Sequence, residues 1–169
     1  MTLVELTVSI TVLTVALCAV ASTVVTTGAL NQQSHETEVA RRAAENMIEV
    51  LRNTPIANVF ALYDTSTADD PGGAGTAPGA RFAVPGLKPL PGAPGGMAGT
   101  IFLPSAGPTL REDTIDATLG LPRDLNTDGV VDAKDHASDY QVLPVRVRIQ
   151  WSSQHGPRTI ELTTLLSGL

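Results

Sequence analysis

The sequence predicts an α+β protein: one long N-terminal helix packed on a small antiparallel β-sheet, with a Pro/Gly-rich insert and a calcium-type loop between them. Three observations lead there. No charged residue occurs from Leu6 to Ser34. Past that stretch, apolar residues recur at helical spacing as far as Leu51, and from Val145 onward they alternate with polar ones at strand spacing. Residues 1–30 are therefore expected to form a membrane-spanning half of the helix, 31–54 an amphipathic half, and 55–169 a globular α+β head.

The run from Val8 to Ala21 is dominated by aliphatic and small residues, and about 20 helical residues suffice to cross the roughly 30 Å hydrocarbon core of a bilayer. Hydroxyls at Ser9, Thr11, Thr14, Ser22 and Thr23 can bond back to the helix or across to a neighbouring one. A cleaved signal peptide would open on basic residues and close on a small-residue cleavage site, whereas no Lys or Arg precedes Arg41. Glu5 is the one charge in the segment, and a carboxylate at the bilayer edge is costly unless paired, which marks it as a functional candidate. The lone cysteine, Cys18, excludes an intramolecular disulfide and reads as a small buried hydrophobe.

Beyond Asn31-Gln32-Gln33-Ser34 the helix is expected to continue, for a total of about 50 residues and a length of about 80 Å. Ala40, Ala43, Ala44, Met47, Ile48 and Leu51 fall on one face, with the charges opposite. Pro55 ends it, because proline biases Thr54 away from the α region and donates no hydrogen bond. Between Pro71 and Pro108, 18 of 38 residues are Gly or Pro, too many for any long regular element. Short strand candidates survive at Arg81–Val84 and Gly99–Leu103. The glycines at 72–75 lack the Gly-Lys-Ser/Thr of a phosphate cradle.

The segment from Asp124 to Asp135 has the spacing of a calcium loop. Asp124, Asn126, Asp128, Asp132 and Asp135 stand at positions 1, 3, 5, 9 and 12, with Gly129 at the sharp turn of position 6 and the Val130 carbonyl at position 7. Calcium takes six to eight oxygens from a flexible turn, and the chain offers eight acids between Glu112 and Asp139. A solvated acidic turn is the competing reading, since Asp, Asn and Gly favour turns by themselves. Asp in place of Glu at position 12 predicts a weaker site.

Residues 140–166 read as a β-hairpin: Val145, Val147, Ile149 and Trp151 share one face, a turn follows at 152–157, and the alternation resumes to Leu166. Arg146 and Arg148 lie on the solvated face, and His35, His136 and His155 receive no role. A net charge of −6 with 11 scattered basic residues and 4% aromatics argues against nucleic acid as a partner. No nucleophile elbow, metal-binding His pair or apolar-pocketed carboxylate pair points to an enzyme.

Met1-Thr2-Leu3-Val4-Glu5-Leu6 followed by an aliphatic helix resembles the mature N-terminus of type IV pilins and type II secretion pseudopilins. The C-terminal hairpin is similar to the closing sheet of minor pseudopilin I and of V-class minor pilins. The resemblance implies a pilin-like fold and a structural subunit, minor pilin or pseudopilin, of a type IV pilus or secretion pseudopilus. It implies processing by a prepilin peptidase after a short basic leader ending in Gly, and methylation at Met1. It further implies pairing of Glu5 with the Met1 amine of a neighbouring subunit and growth from an inner-membrane assembly platform into a hetero-oligomeric filament of pilins. The implied location is the bacterial inner membrane, single-pass, with the head in the periplasm or outside. Some pseudopilins hold their C-terminal loops with calcium, in keeping with the spacing at 124–135. The alternative is a singly anchored envelope protein whose dockerin-like calcium loop binds a partner.

Overall fold

The computed structural model describes residues 2–168, apart from the side chain at position 25. The chain forms two compact units, Met1–Thr37 and Glu38–Leu169. One helix, α1, runs from Leu3 to Asn53. Its first part carries only exposed aliphatic residues such as Leu6, Ile10, Leu13 and Leu17, and contains a window long and apolar enough to cross a membrane, a property shared by membrane anchors and signal sequences. Hydroxyls along it bond back to the ladder, among them Ser9 to the Glu5 carbonyl at 2.8 Å and Thr14 to the Ile10 carbonyl at 2.8 Å. That satisfies each polar group within the helix, as an apolar surrounding demands. Cys18, expected to be buried, is exposed on this surface, because nothing else in its own unit covers the helix.

In the second unit α1 is amphipathic. Ala40, Ala44, Ile48 and Leu51 are buried, and Ala43 and Met47 pack beside them, which is the face that the three- and four-residue spacing predicts. Exposed Arg41–Glu45 and Arg42–Glu38 pairs, at 2.9 and 2.7 Å, line the other side. The helix ends at Asn53, just ahead of Pro55. A second helix, α2 (Ile56–Tyr63), follows directly and buries Val59, Phe60 and Tyr63; the sequence reading did not anticipate it. Pro55 precedes its first turn, where a missing N–H costs nothing. Tyr140 secures this short helix by inserting its hydroxyl into the backbone ladder, accepting from the Phe60 amide at 3.1 Å and donating to the Ile56 carbonyl.

The sheet is antiparallel with strand order β1-β2-β5-β6. Strand β1 is Arg81–Phe82, β2 is Gly99–Phe102, β5 is Val142–Ser153 and β6 is Gly156–Ser167. Both short strands fall on the apolar pieces picked out within the Pro/Gly-rich insert. Gly99 is required where it stands, since a Cβ there would lie 2.4 Å from the Phe82 ring. The long hairpin is tighter than expected, its strands running to Ser153 and from Gly156 with Gln154 and His155 between. Val145, Val147, Ile149 and Trp151 enter the core with the α1 stripe. On the opposite face Arg146 and Arg148 both lie 4.6 Å from the centre of the Phe102 ring. Arg148 pairs with Glu161 at 2.5 Å, whereas Arg146 is buried, not solvated, and meets Asp116 at 3.4 Å. A two-stranded ribbon, β3 (Ser105–Ala106) with β4 (Thr109–Leu110), leads into the acidic segment.

Candidate functional site

Two places in the chain collect the sequence-marked residues: the start of α1 and the loops between β4 and β5. At the first, Thr2 and Glu5 form a reciprocal cap. The Thr2 amide donates to Glu5 Oε2 and the Glu5 amide to Thr2 Oγ1, each at 3.3 Å. This is a capping box, which satisfies two amides that a helix start leaves unpaired. Thr2-Leu3-Val4-Glu5 has the Thr-x-x-Glu spacing of such a box. Met1 lies outside the described residues.

At the second place, the loop is built around Glu112, two residues after β4. Glu112 is fully buried. Its Oε1 accepts from the amides of Leu125 at 2.6 Å and Asn126 at 3.2 Å, and its Oε2 from the amide of Asp132 at 3.3 Å. A buried carboxylate is tolerable when several donors meet it, and here those donors come from the loop itself. The far end of the loop is tied to β4: the Leu110 amide donates to Asp135 Oδ1 at 3.0 Å and the His136 amide donates to the Leu110 carbonyl at 2.9 Å. Those two bonds bring His136 beside Glu112.

Of the six residues marked for calcium, the first three curl on themselves. Asp124 accepts from the amides of Thr127 and Gly129, Asn126 from that of Asp128, and Asp128 from that of Val130, between 2.6 and 3.1 Å. Gly129 has φ +86°, the left-handed turn expected at position 6. The last two turn away from that curl. Asp135 faces β4, and Asp132 bonds Lys134 Nζ at 2.6 Å and His136 Nε2 at 3.1 Å.

His136, given no role from its sequence position, is 3% exposed and sits between carboxylates. Its Nδ1 is 3.1 Å from Asp139 Oδ1, and its Nε2 lies 3.1 Å from Asp132 Oδ1 and 3.7 Å from Glu112 Oε2. Burial alone would lower its pKa, but hydrogen bonds to Asp132 and Asp139 and the charge of Glu112 outweigh it, and the net direction is upward. Asp132 is held well below the usual carboxylate range, first by the Lys134 side chain, then by the Lys134 amide and His136. The Arg111 guanidinium lowers the pKa of Asp113, and the Thr118 hydroxyl leads the lowering at Asp116. The crowding of acids that argued for a bound cation is thus partly answered by the chain's own bases and amides. Among the described residues, Glu112, Asp132 and His136 bring ligand atoms within 4.8 Å of one another.

Compared with known proteins, the chain matches no family model, no curated protein and no solved structure.

Proposed function

We propose that the chain is a membrane-held, pilin-like structural subunit, a minor pilin or pseudopilin, that assembles with similar chains through the apolar half of α1. The observation that carries this reading is the character of that one helix. Its first half is uncharged apart from Glu5, with its aliphatic residues exposed among the described residues, and its second half supplies the core stripe of an α+β head. Exposed aliphatic surface of that extent is unfavourable in water and is stable against lipid or other apolar helices. In this reading the capping carboxylate of Glu5 also recruits the terminal amine of a neighbouring subunit, since a buried carboxylate is tolerated when it meets a cation. The role is structural and not catalytic, exercised in a bacterial inner membrane with the head on its outer side.

The test is chemical cross-linking of the full chain in membranes, alone and with co-expressed pilin-like subunits, followed by alkaline extraction. The proposal predicts retention in the membrane and a ladder of cross-linked adducts. A chain released by alkali, or retained solely as a monomer, refutes it.

For the loop at 124–135 we propose calcium as an occupant. The turns at Asp124, Asn126 and Asp128 and the left-handed Gly129 are the features that favour it. Full coordination would draw Asp132 and Asp135 away from their present partners. Titration with Ca²⁺ should raise the melting temperature of the head; an unchanged melting curve rejects calcium here.

A further inference from the structure

We propose that Glu112, Asp132 and His136 form a second metal site, selective for a divalent transition ion of the zinc class, placed under the acidic loop. The argument starts from His136. A neutral imidazole has one N–H and one lone pair. With Nδ1–H donated to Asp139 at 3.1 Å, Nε2 faces Asp132 Oδ1 and Glu112 Oε2, 3.1 and 3.7 Å away. A proton on Nε2 holds these atoms together in the metal-free chain, and a divalent cation that displaces it would meet the ring lone pair and both carboxylate oxygens at once. Their separations suit such a cation. Zinc bonds of about 2.0–2.1 Å in a tetrahedron set neighbouring ligand atoms about 3.3 Å apart, so small shifts would close the site.

The surroundings suit it as well. Metal-bound histidines characteristically donate their other ring N–H to a carboxylate, which fixes ring and tautomer, and Asp139 stands in that position. Glu112 Oε1 is held by the Leu125 and Asn126 amides, and Oε2, which takes one longer bond from the Asp132 amide at 3.3 Å, faces the cluster. Asp132 is 23% exposed while the His136 and Glu112 side chains are at 4% and 0%. The outer side of the cluster therefore opens to solvent, giving the ion a path inward and a water as fourth ligand. An imidazole with two carboxylates is a donor set for zinc, nickel or cobalt, whereas calcium prefers oxygen alone. This inference does not depend on the assembly role, and it differs from the calcium reading in both ion and residues, sharing Asp132 alone.

The experiment uses the full chain in detergent micelles, dialysed against Zn²⁺ in calcium-free buffer, and in parallel against Co²⁺. The site predicts one zinc per chain, a raised melting temperature, and visible cobalt bands of tetrahedral intensity that zinc abolishes. D128N, which alters the loop and not this cluster, should keep zinc binding, and H136Q should reduce zinc affinity at least tenfold. The wild-type cobalt spectrum reports the site even if H136Q fails to fold. Substoichiometric zinc, a cobalt spectrum of octahedral weakness, or zinc lost in D128N and kept in H136Q overturns the proposal. In the first case Nε2 holds only a proton; in the last, the donors lie in the loop.

Discussion

Asp64 shows how much a single unpaired group can matter. It follows α2, is 4% exposed, and neither carboxylate oxygen has a hydrogen-bond partner. Burial pushes its pKa up to about 6, offset in part by the Ser66 amide, which approaches the carboxylate without reaching hydrogen-bond geometry, while Asp69 and Asp70 add to the rise. It also sits at the negative end of a helix. The unfolded chain releases this proton near pH 3.9, so the folded state is penalised progressively as pH rises from about 4 to about 6, and fully above that. The shift corresponds to on the order of 2–3 kcal/mol. Asp64→Asn should therefore raise the melting temperature at pH 7 and leave it nearly unchanged at pH 4. An equal effect at both pH values would mean that ionisation is not the cause. Tyr140 is the opposite case, a buried hydroxyl with both of its bonds made. Tyr140→Phe removes them, but the Ile56 carbonyl and Phe60 amide can close on each other, so the cost should be about 1 kcal/mol, read by urea denaturation. A loss above about 3 kcal/mol would show that α2 cannot re-form its ladder.

At the scale of elements, the acidic loop is organised by a residue outside it. Glu112→Gln keeps the shape but replaces a carboxylate that accepts three amides with a group carrying its own N–H donors. A loss on the order of 2–3 kcal/mol is expected, together with faster hydrogen exchange at the Leu125, Asn126 and Asp132 amides. Unchanged exchange there would show the loop to be held by other contacts. The same contrast explains which elements were legible in the sequence. The α1 stripe from Ala40 to Leu51 and the alternation in β5 and β6 are local patterns that burial enforces, and both are present as read. The α2 helix was missed because Pro55 signals a stop, and eight largely apolar residues without a polar cap carry no helix signature. The loop spacing was plain. The destinations of Asp132 and Asp135 were not, because Glu112 and β4 set them through contacts made 20 and 25 residues apart in sequence, and His136 meets Asp132 only once those are formed. His136 likewise had no visible partner, since its neighbours at positions 132 and 139 take on meaning only once the loop folds back on Glu112.

For the whole molecule, a single helix joins two chemical environments. Its first half offers an exposed apolar surface with hydroxyls satisfied internally, and its second half is an integral part of a head with a mixed aliphatic and aromatic core. The stripe from Ala40 to Leu51 belongs to that core and is buried there. Glu5 stands at the start of the first half, where its cap on Thr2 holds the carboxylate at the helix terminus. Replacement by Gln preserves the shape and most of the cap but removes the charge available to a neighbour's amine. The direct measurement is the amount of this chain in filaments sheared from cells, wild type against Glu5→Gln, with the melting temperature of the purified protein as control. Wild-type chain in the filament fraction, and Glu5→Gln confined to the membrane with an unaltered melting temperature, is the result expected of an assembly subunit. Equal incorporation of the two, or wild-type chain missing from filaments altogether, would contradict it.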